Sequence, residues 1–211
     1  MSVISIPIGV FVGIYLVEYG GGTKLGKITT FMVDILTGVP SIVAALFIYA
    51  LWVATLGFQR SGFAVSLALV LLMIPVIVRS TEEMLRIVPM DLREASYALG
   101  VPKWRTISSI VIPTALSGIV TGILLALARV MGETAPLLIL VGYAQAMNFD
   151  MFGGFMGSLP GMMYDQISAG AGANPIPTDR MWGAALTLVL VIAILNVAAR
   201  LVAKIFSPKN V

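Results

Sequence analysis

The sequence predicts an all-α integral membrane protein, a polytopic helical bundle, and three observations carry that prediction. Hydrophobic residues make up 59% of the 211-residue chain and charged residues only 11%, with a mean hydropathy of +1.01, a composition that no monomeric soluble domain sustains. The apolar residues gather into five stretches, about 1–17, 35–57, 62–80, 107–131 and 182–206, and crossing the hydrocarbon core takes roughly 20 residues of helix. Nearly all the charge lies between the stretches, and its basic part is unevenly shared between the two sides. A single membrane domain is expected to cover residues 1–211.

The first stretch, about 1–17, reaches only about 25 Å at 1.5 Å per residue. It lacks the basic leading segment and small-residue cleavage site of a signal peptide. It reads as a chain that starts inside a transmembrane helix of a longer protein. Gly21 to Ile28 then nearly spells a phosphate-binding loop, but Ile28 stands where a magnesium-binding hydroxyl is needed and an apolar span precedes it in place of a strand. The run is therefore a flexible basic turn, and any ATP must be hydrolysed by a partner.

The second and third stretches, 35–57 and 62–80, are bounded by Asp34 and Arg79, whose plain reading is snorkelling to the interface. Pro75 predicts a kink in the third. A charged insert follows, about residues 84–106. Within it, Asp91 and Glu94 read as a helix N-cap and its capping-box partner, and Gly100 with Pro102 as the stop, predicting a short helix over about 92–99. Leu92, Ala95, Ser96 and Leu99 fall on one face of it, offered to a partner, while Arg93, Glu94 and Tyr97 point elsewhere. A helix that short cannot stand alone.

After the basic-aromatic run Lys103, Trp104, Arg105 the chain re-enters an apolar segment, broken only at Pro113. Small residues at four-residue spacing, Gly118, Gly122 and Ala126, and also Gly9 and Gly13, suit close helix packing. At the end of this fourth stretch stand Arg129 and Glu133, four residues apart, which must pair or line a wet cavity to offset desolvation. Gly132 and Pro136 predict a helix break beside them, exposing backbone N–H groups to an anion. Arg129 is the candidate anion ligand and Glu133 its orienting partner; a purely structural ion pair is the alternative. The segment 142–181 is rich in Gly, Met, Phe and Pro and carries few charges, so part of it is expected at the interface or re-entering the bundle, with 168–179 as loop.

Lysine and arginine placement tests the topology. If the insert is cytoplasmic, alternation puts residues 18–34 and the C-terminus inside as well, and ten of the thirteen Lys and Arg residues then lie inside: Lys24, Lys27, Arg79, Arg86, Arg93, Lys103, Arg105, Arg200, Lys204 and Lys209. Only Arg60 and Arg180 lie outside, with Arg129 within a span.

Composition also narrows the chemistry. The chain has no cysteine and no histidine, so it has no disulfide or thiol nucleophile and lacks the commonest general base and metal ligand. An intramembrane enzyme would need a carboxylate pair or a Ser-Lys dyad within a span, and none contains one. No metal or cofactor is expected. The net charge of +3 gives nucleic-acid binding no support.

Glu94, Ala95, Gly100, Ile110 and Pro113, with Ser96 and Ile112 at the remaining positions, resemble the EAA loop of ABC-transporter permeases. Gly38-Val39-Pro40-Ser41-Ile42-Val43, and the run from Arg129 to Leu138, further resemble the phosphate-importer permeases of the Pst system, in the manner of its PstA rather than its PstC subunits. The resemblance implies a type I importer (MetI-like) core with a cytoplasmic coupling helix, in the bacterial inner membrane, multi-pass, with a cytoplasmic C-terminus. It implies four kinds of partner: a PstC-like sister permease, a PstB-like ATPase dimer, a PstS-like phosphate-binding protein and membrane lipid. The loop residues Glu94, Ala95, Ser96, Gly100, Pro102, Ile110 and Pro113 would couple to the ATPase, and Arg129, Glu133 and Thr134 would lie along the substrate path. A permease for sulfate or molybdate, or a passive anion channel, would be the alternative.

Overall fold

A computed structural model describes residues 1–169 and 176–206 of the chain, and these form helices and no strand. In order they are α1 (Ser2–Ile14), which widens into a π-turn over Tyr15–Tyr19, α2 (Lys24–Gly38), α3 (Ser41–Ile48), continued as a π-turn over Tyr49–Thr55, and α4 (Gly62–Ile87). Then come α5 (Met90–Ala98), α6 (Lys103–Thr106), a π-turn over Ile107–Val111 leading into α7 (Ile112–Met131), α8 (Ala135–Leu140), α9 (Leu159–Ala169) and α10 (Ile176–Phe206). Four helical runs among the described residues are long and apolar enough to cross a membrane: Ser2–Tyr19, Gly62–Ile87, Lys103–Met131 and Pro177–Leu201.

The expected second stretch, 35–57, is not one straight span. Helices α2 and α3 are bent by 104° at the break between Gly38 and Ser41. Pro40 is the cause: it is extended, with φ −60° and ψ 140°, its nitrogen cannot donate to the preceding turn, and its ring disfavours helix in the residue before it. Pro75, by contrast, lies within α4, which remains helical on both sides of it. The loop expected at 168–179 is helical at both described ends, because α9 runs to Ala169 and α10 begins at Ile176; residues 170–175 lie outside the described residues.

The chain divides into two compact units, one from Gly38–Leu72 and Ala128–Ile194, the other from Ser2–Thr37, Met73–Leu127 and α10 from Leu195. In the second unit the small residues do what their spacing predicts. A Cβ on Gly9 would stand 2.6 Å from Ile77 Cγ2, and one on Gly13 2.8 Å from Thr81 Cβ. On α7, a Cβ on Gly118 would stand 2.6 Å from Met84 Cγ, and one on Gly122 2.5 Å from Ser80 Cβ. Helix α4 thus receives the glycine stripes of both α1 and α7, the missing Cβ atoms leaving room for the roots of Ile77, Thr81 and Ser80 and for the Met84 side chain against the glycine backbones. The register also gives direction. Gly9 and Gly13 meet Ile77 and Thr81 in ascending order, so α1 runs parallel to α4, whereas Gly118 and Gly122 meet Met84 and Ser80 in descending order, so α7 runs antiparallel to it.

Asp34 and Arg79 do not merely snorkel. Arg79 Nη2 pairs with Asp34 Oδ1, joining α2 to α4, while its Nη1 donates to Glu82 Oε2 at 2.6 Å and Arg86 Nη2 donates to Glu82 Oε1 at 2.7 Å. Glu82, buried between two guanidiniums, is the centre of this chain of charges. Glu82→Gln is expected to cost on the order of 2 kcal/mol, less than the loss of a fully buried pair because the Arg86 side chain is 64% exposed. A thermal-melting midpoint of the detergent-solubilised variant equal to wild type would sink this expectation.

In the first unit, Ala45 and Ile48 of α3 pack with Ala64, Val65 and Ala68 of α4 and with Leu140 and Val141 at the end of α8. The start of α4 is satisfied by capping: Ser61 Oγ accepts from the Ala64 N–H at 3.3 Å, and the Phe63 N–H donates to the Met151 carbonyl at 2.8 Å. Trp52 stacks on Phe58 at 4.5 Å and tilts against Phe63.

Candidate functional site

Helix α5 starts earlier than its sequence signals suggest. The extended residue before it is Pro89, with φ −55° and ψ 139°, and no side chain caps it. Asp91 therefore sits inside the first turn and is not the N-cap, a place where its charge suits the helix dipole. The capping box with Glu94 is not formed, because Pro89 already sets the entry angle of the chain. The far end follows the sequence closely. Gly100 is left-handed at φ +75°, its N–H donates to the Tyr97 carbonyl at 2.9 Å, and the Val101 N–H donates to the Ser96 carbonyl at 3.2 Å. That bond pair is a Schellman stop. Pro102 is extended and opens α6, and the Ser96 and Thr106 hydroxyls meet at 2.8 Å across the turn.

The faces of α5 are sorted more sharply than periodicity predicts. Leu92 and Leu99 are 41% and 83% exposed, and Ala95 and Glu94 are exposed beside them, so an apolar strip does face outward. Ser96, expected on that strip, is buried instead. Arg93 is also buried, at 6% exposure. Its Nη1 donates to the Val88 carbonyl at 2.6 Å, and its Nη2 to the Leu85 carbonyl at 2.9 Å and to Glu18 Oε1 at 3.0 Å. Glu18 lies in the π-turn that ends the first span. The glycine stripe of α1 runs Ser5, Gly9, Gly13 at four-residue steps; the extra residue of the π-turn carries the buried position on to Glu18, five residues later.

Ile110 and Pro113 stand where α6 becomes α7. The π-turn there lets the Ile112 N–H donate to the Ile107 carbonyl, and Pro113, which has no N–H to offer, follows it near the start of α7. Pro113 and Pro102 are exposed and Ile110 is half-buried.

The second candidate region is the end of α7. The predicted break is present: α7 stops at Met131, the Gly132 N–H donates to the Arg129 carbonyl at 3.2 Å and the Glu133 N–H to the Val130 carbonyl at 3.1 Å, a tightened last turn. Arg129 is exposed, and its guanidinium has no hydrogen-bond or ion-pair partner among the described residues. Glu133 and Thr134 are half-buried, and Thr134 Oγ1 reaches only the Gly132 carbonyl, at 3.4 Å. Arg129 and Glu133 are thus not brought together as a pair. The break is followed by α8, six residues long with Pro136 at its start, which removes one of the N–H groups there.

Beyond α8, Asn148 Nδ2 closes a loop by donating to the Gly153 carbonyl at 2.9 Å and the Phe155 carbonyl at 3.1 Å. Met147, Phe149, Phe152 and Phe155 are left exposed around it.

Helical spans in this register, with an exposed short helix between two of them and a left-handed glycine at its end, have counterparts among known proteins. Residues 5–211 match the family described as binding-protein-dependent transport system inner membrane component. The chain belongs to this family. Among curated relatives of this inner membrane component, the phosphate transport system permease protein PstA 1 of Mycobacterium tuberculosis (strain H37Rv) is 59% identical over 201 residues, covering 95% of the chain and 64% of the relative. PstA of Mycobacterium leprae is 59% identical over 195 residues, covering 92% and 63%, and PstA of Pasteurella multocida 42% over 202 residues, covering 95% and 70%. The chain thus spans about 64% of the length of the M. tuberculosis relative. Among solved structures, the inward-facing MetNI methionine ABC transporter superposes with a TM-score of 0.76 at 20% identity, covering 98% of the chain and 88% of that structure. An amino acid ABC transporter superposes with a TM-score of 0.60 at 16% identity, covering 92% and 87%. These structures give the inner membrane component its fold, the ABC importer permease fold, and the relatives are transport permeases rather than enzymes.

Proposed function

We propose that the chain is the transmembrane permease subunit of an ATP-driven inorganic phosphate importer, forming half of the translocation path and coupling to a separate cytoplasmic ATPase through α5. The observation that carries this reading is the build of α5 itself: a short helix with its arginine turned inward, its Leu92, Ala95 and Leu99 strip turned outward, and a glycine stop that fixes its angle. A helix of nine residues gains nothing from exposing leucines to water, and docking on an ATPase surface removes them from it. Glu94 on the exposed side supplies the charged contact.

Phosphate as the substrate rests on the names of the relatives, and Arg129 supplies the chemistry. Phosphate near neutral pH carries one to two negative charges, and a planar guanidinium offers it two parallel N–H donors. An arginine with no ion-pair partner among the described residues binds without trapping the ion. Thr134 adds a hydroxyl next to the path. In this arrangement a PstC-like permease forms the other half of the path, a PstB-like ATPase dimer lies beneath both, and a PstS-like protein delivers phosphate from outside. The distribution of lysines and arginines supports a cytoplasmic side for α5 and for the C-terminus.

The test is ATP-dependent uptake of radiolabelled phosphate into vesicles holding the chain with sister permease, ATPase and binding protein. Arg129→Ala is expected to lower uptake about ten-fold or more with the ATPase still docked, and Arg129→Lys to retain part of it, because the charge survives and the fork does not. Undiminished uptake in Arg129→Ala would remove this arginine from the path. Phosphate flux without ATP would favour a channel, and competition by sulfate or molybdate equal to that by phosphate would favour a broader oxyanion permease.

A further inference from the structure

Helix α5 is joined covalently to α4 through Val88 and Pro89 and to α6 through the Gly100 turn. Neither link leads to α1. The contact with α1 is made by side chains. Arg93 and Glu18, 75 residues apart in sequence, are buried at 6% and 9% exposure, and two nitrogens of the guanidinium, Nη2 at 3.0 Å and Nε at 3.3 Å, reach the same carboxylate oxygen. The remaining donors of Arg93 take up the Leu85 and Val88 carbonyls, at the end of α4 where intrahelical donors run out, and Nη1 also faces the Met90 sulfur at 3.8 Å. From the other side of the Gly100 turn, Lys103 Nζ donates to the Glu18 carbonyl and lies 4.8 Å from the centre of the Tyr19 ring. One guanidinium therefore ties α5 to the ends of two spans.

We infer that Arg93 and Glu18 form a strut that carries displacement of α5 to the ends of α1 and α4, the two residues acting as positioning residues for transport. The inference rests on the reading of α5 as the ATPase-docking helix and adds to it the route by which motion leaves that helix. Drawing Arg93 away from Glu18 would leave a buried carboxylate without its partner, which a low-dielectric site penalises heavily. The pair and the helix ends it grips move as one body. Glycine stripes then pass the motion along, since α1 lies against α4 from Gly9 to Gly13 with only the stiff, β-branched roots of Ile77 and Thr81 between.

The experiment uses the assembled transporter and reads three quantities: ATPase co-purification, ATP hydrolysis, and inorganic phosphate taken up per ATP hydrolysed. In Glu18→Gln the ATPase is expected to stay bound and active while uptake per ATP falls roughly ten-fold. A second variant separates mechanics from mere folding. The chain has no native cysteine, so Glu18→Cys with Arg93→Cys carries its only thiols. The reduced double variant is expected to lose coupling as Glu18→Gln does, and a bifunctional thiol-reactive linker is expected to restore at least about half of it by replacing the ion pair with a covalent tether. Unchanged uptake per ATP in Glu18→Gln would overturn the strut, as would a linker that restores nothing. Loss of ATPase binding in Glu18→Gln would also overturn it, by showing that the pair only shapes the docking surface. Failure of the ATPase to bind the wild-type chain is a different result, which removes the docking reading itself.

Discussion

Gly100→Val is expected to abolish most ATP-coupled uptake while leaving the spans folded. Gly100 sits at φ +75°, and a Cβ there would meet nothing within 4 Å, so the penalty comes from backbone alone. For a β-branched residue the left-handed region costs about 1–2 kcal/mol, a factor of roughly 5–30 in the population that keeps the Schellman stop. Without the stop, the Val101 to Ser96 bond is lost and α5 no longer presents Leu92 and Leu99 at a fixed angle. The graded series is the sharper measurement. Asparagine tolerates the left-handed region, so Gly100→Asn is expected to keep much of the uptake, Gly100→Ala less and Gly100→Val least. ATPase co-purification is expected to follow the same order. Equal activity across the three would show that the helix stop has no part in coupling.

The second large effect is expected at the glycine stripes. Gly13→Leu and Gly122→Leu each place a side chain where even the first carbon has no room: 2.8 Å from the Thr81 Cβ in one case and 2.5 Å from the Ser80 Cβ in the other. Neither neighbour yields by swinging a flexible end, since both contacts are at the root of the side chain on α4. Overpacking of this kind costs about 1–3 kcal/mol or more, and here it forces two helices apart along their length. The expected outcome is a sharp fall in folded, monodisperse protein on size-exclusion chromatography in detergent. Gly132→Ala serves as the control. Its Cβ would lie 3.7 Å from the Arg129 carbonyl, an ordinary contact, and the variant is expected to match wild type. If Gly13→Leu and Gly132→Ala behaved alike, the close approach of α1 to α4 would not exist in the membrane.

Several features are legible in the amino-acid sequence because they depend on neighbours along the chain. The Gly100 stop, the break after Arg129 and the small-residue stripes all rest on local rules: a left-handed residue after a helix, a proline that cannot donate, a four-residue repeat. The N-terminus of α5 escapes those rules for a related reason. Asp91 and Glu94 have the spacing of a capping box, but Pro89 fixes the backbone a little earlier in the chain, and two local signals in competition leave the sequence undecided. The bend in the second stretch escapes them because apolar composition counts length and not direction. Pro40 turns the chain through 104° without lowering its hydropathy.

Composition and periodicity are enough for the class and the frame: membrane helices, their order, and a short helical insert between two spans. The hydrocarbon core acts on every residue in the same way, so these features need no knowledge of which helices meet. The partners of the charges emerge only from the folded molecule. Arg93 reads only as pointing away from the apolar strip and is buried on Glu18; Asp34 and Arg79 read as snorkelling ends and hold each other; Arg129 and Glu133 read as a pair and are not one among the described residues. A charge in a poorly solvated site takes whichever opposite charge folding brings within reach. Spacing along one helix says nothing about a carboxylate 75 residues away, which a single extra residue in a π-turn rotates into place.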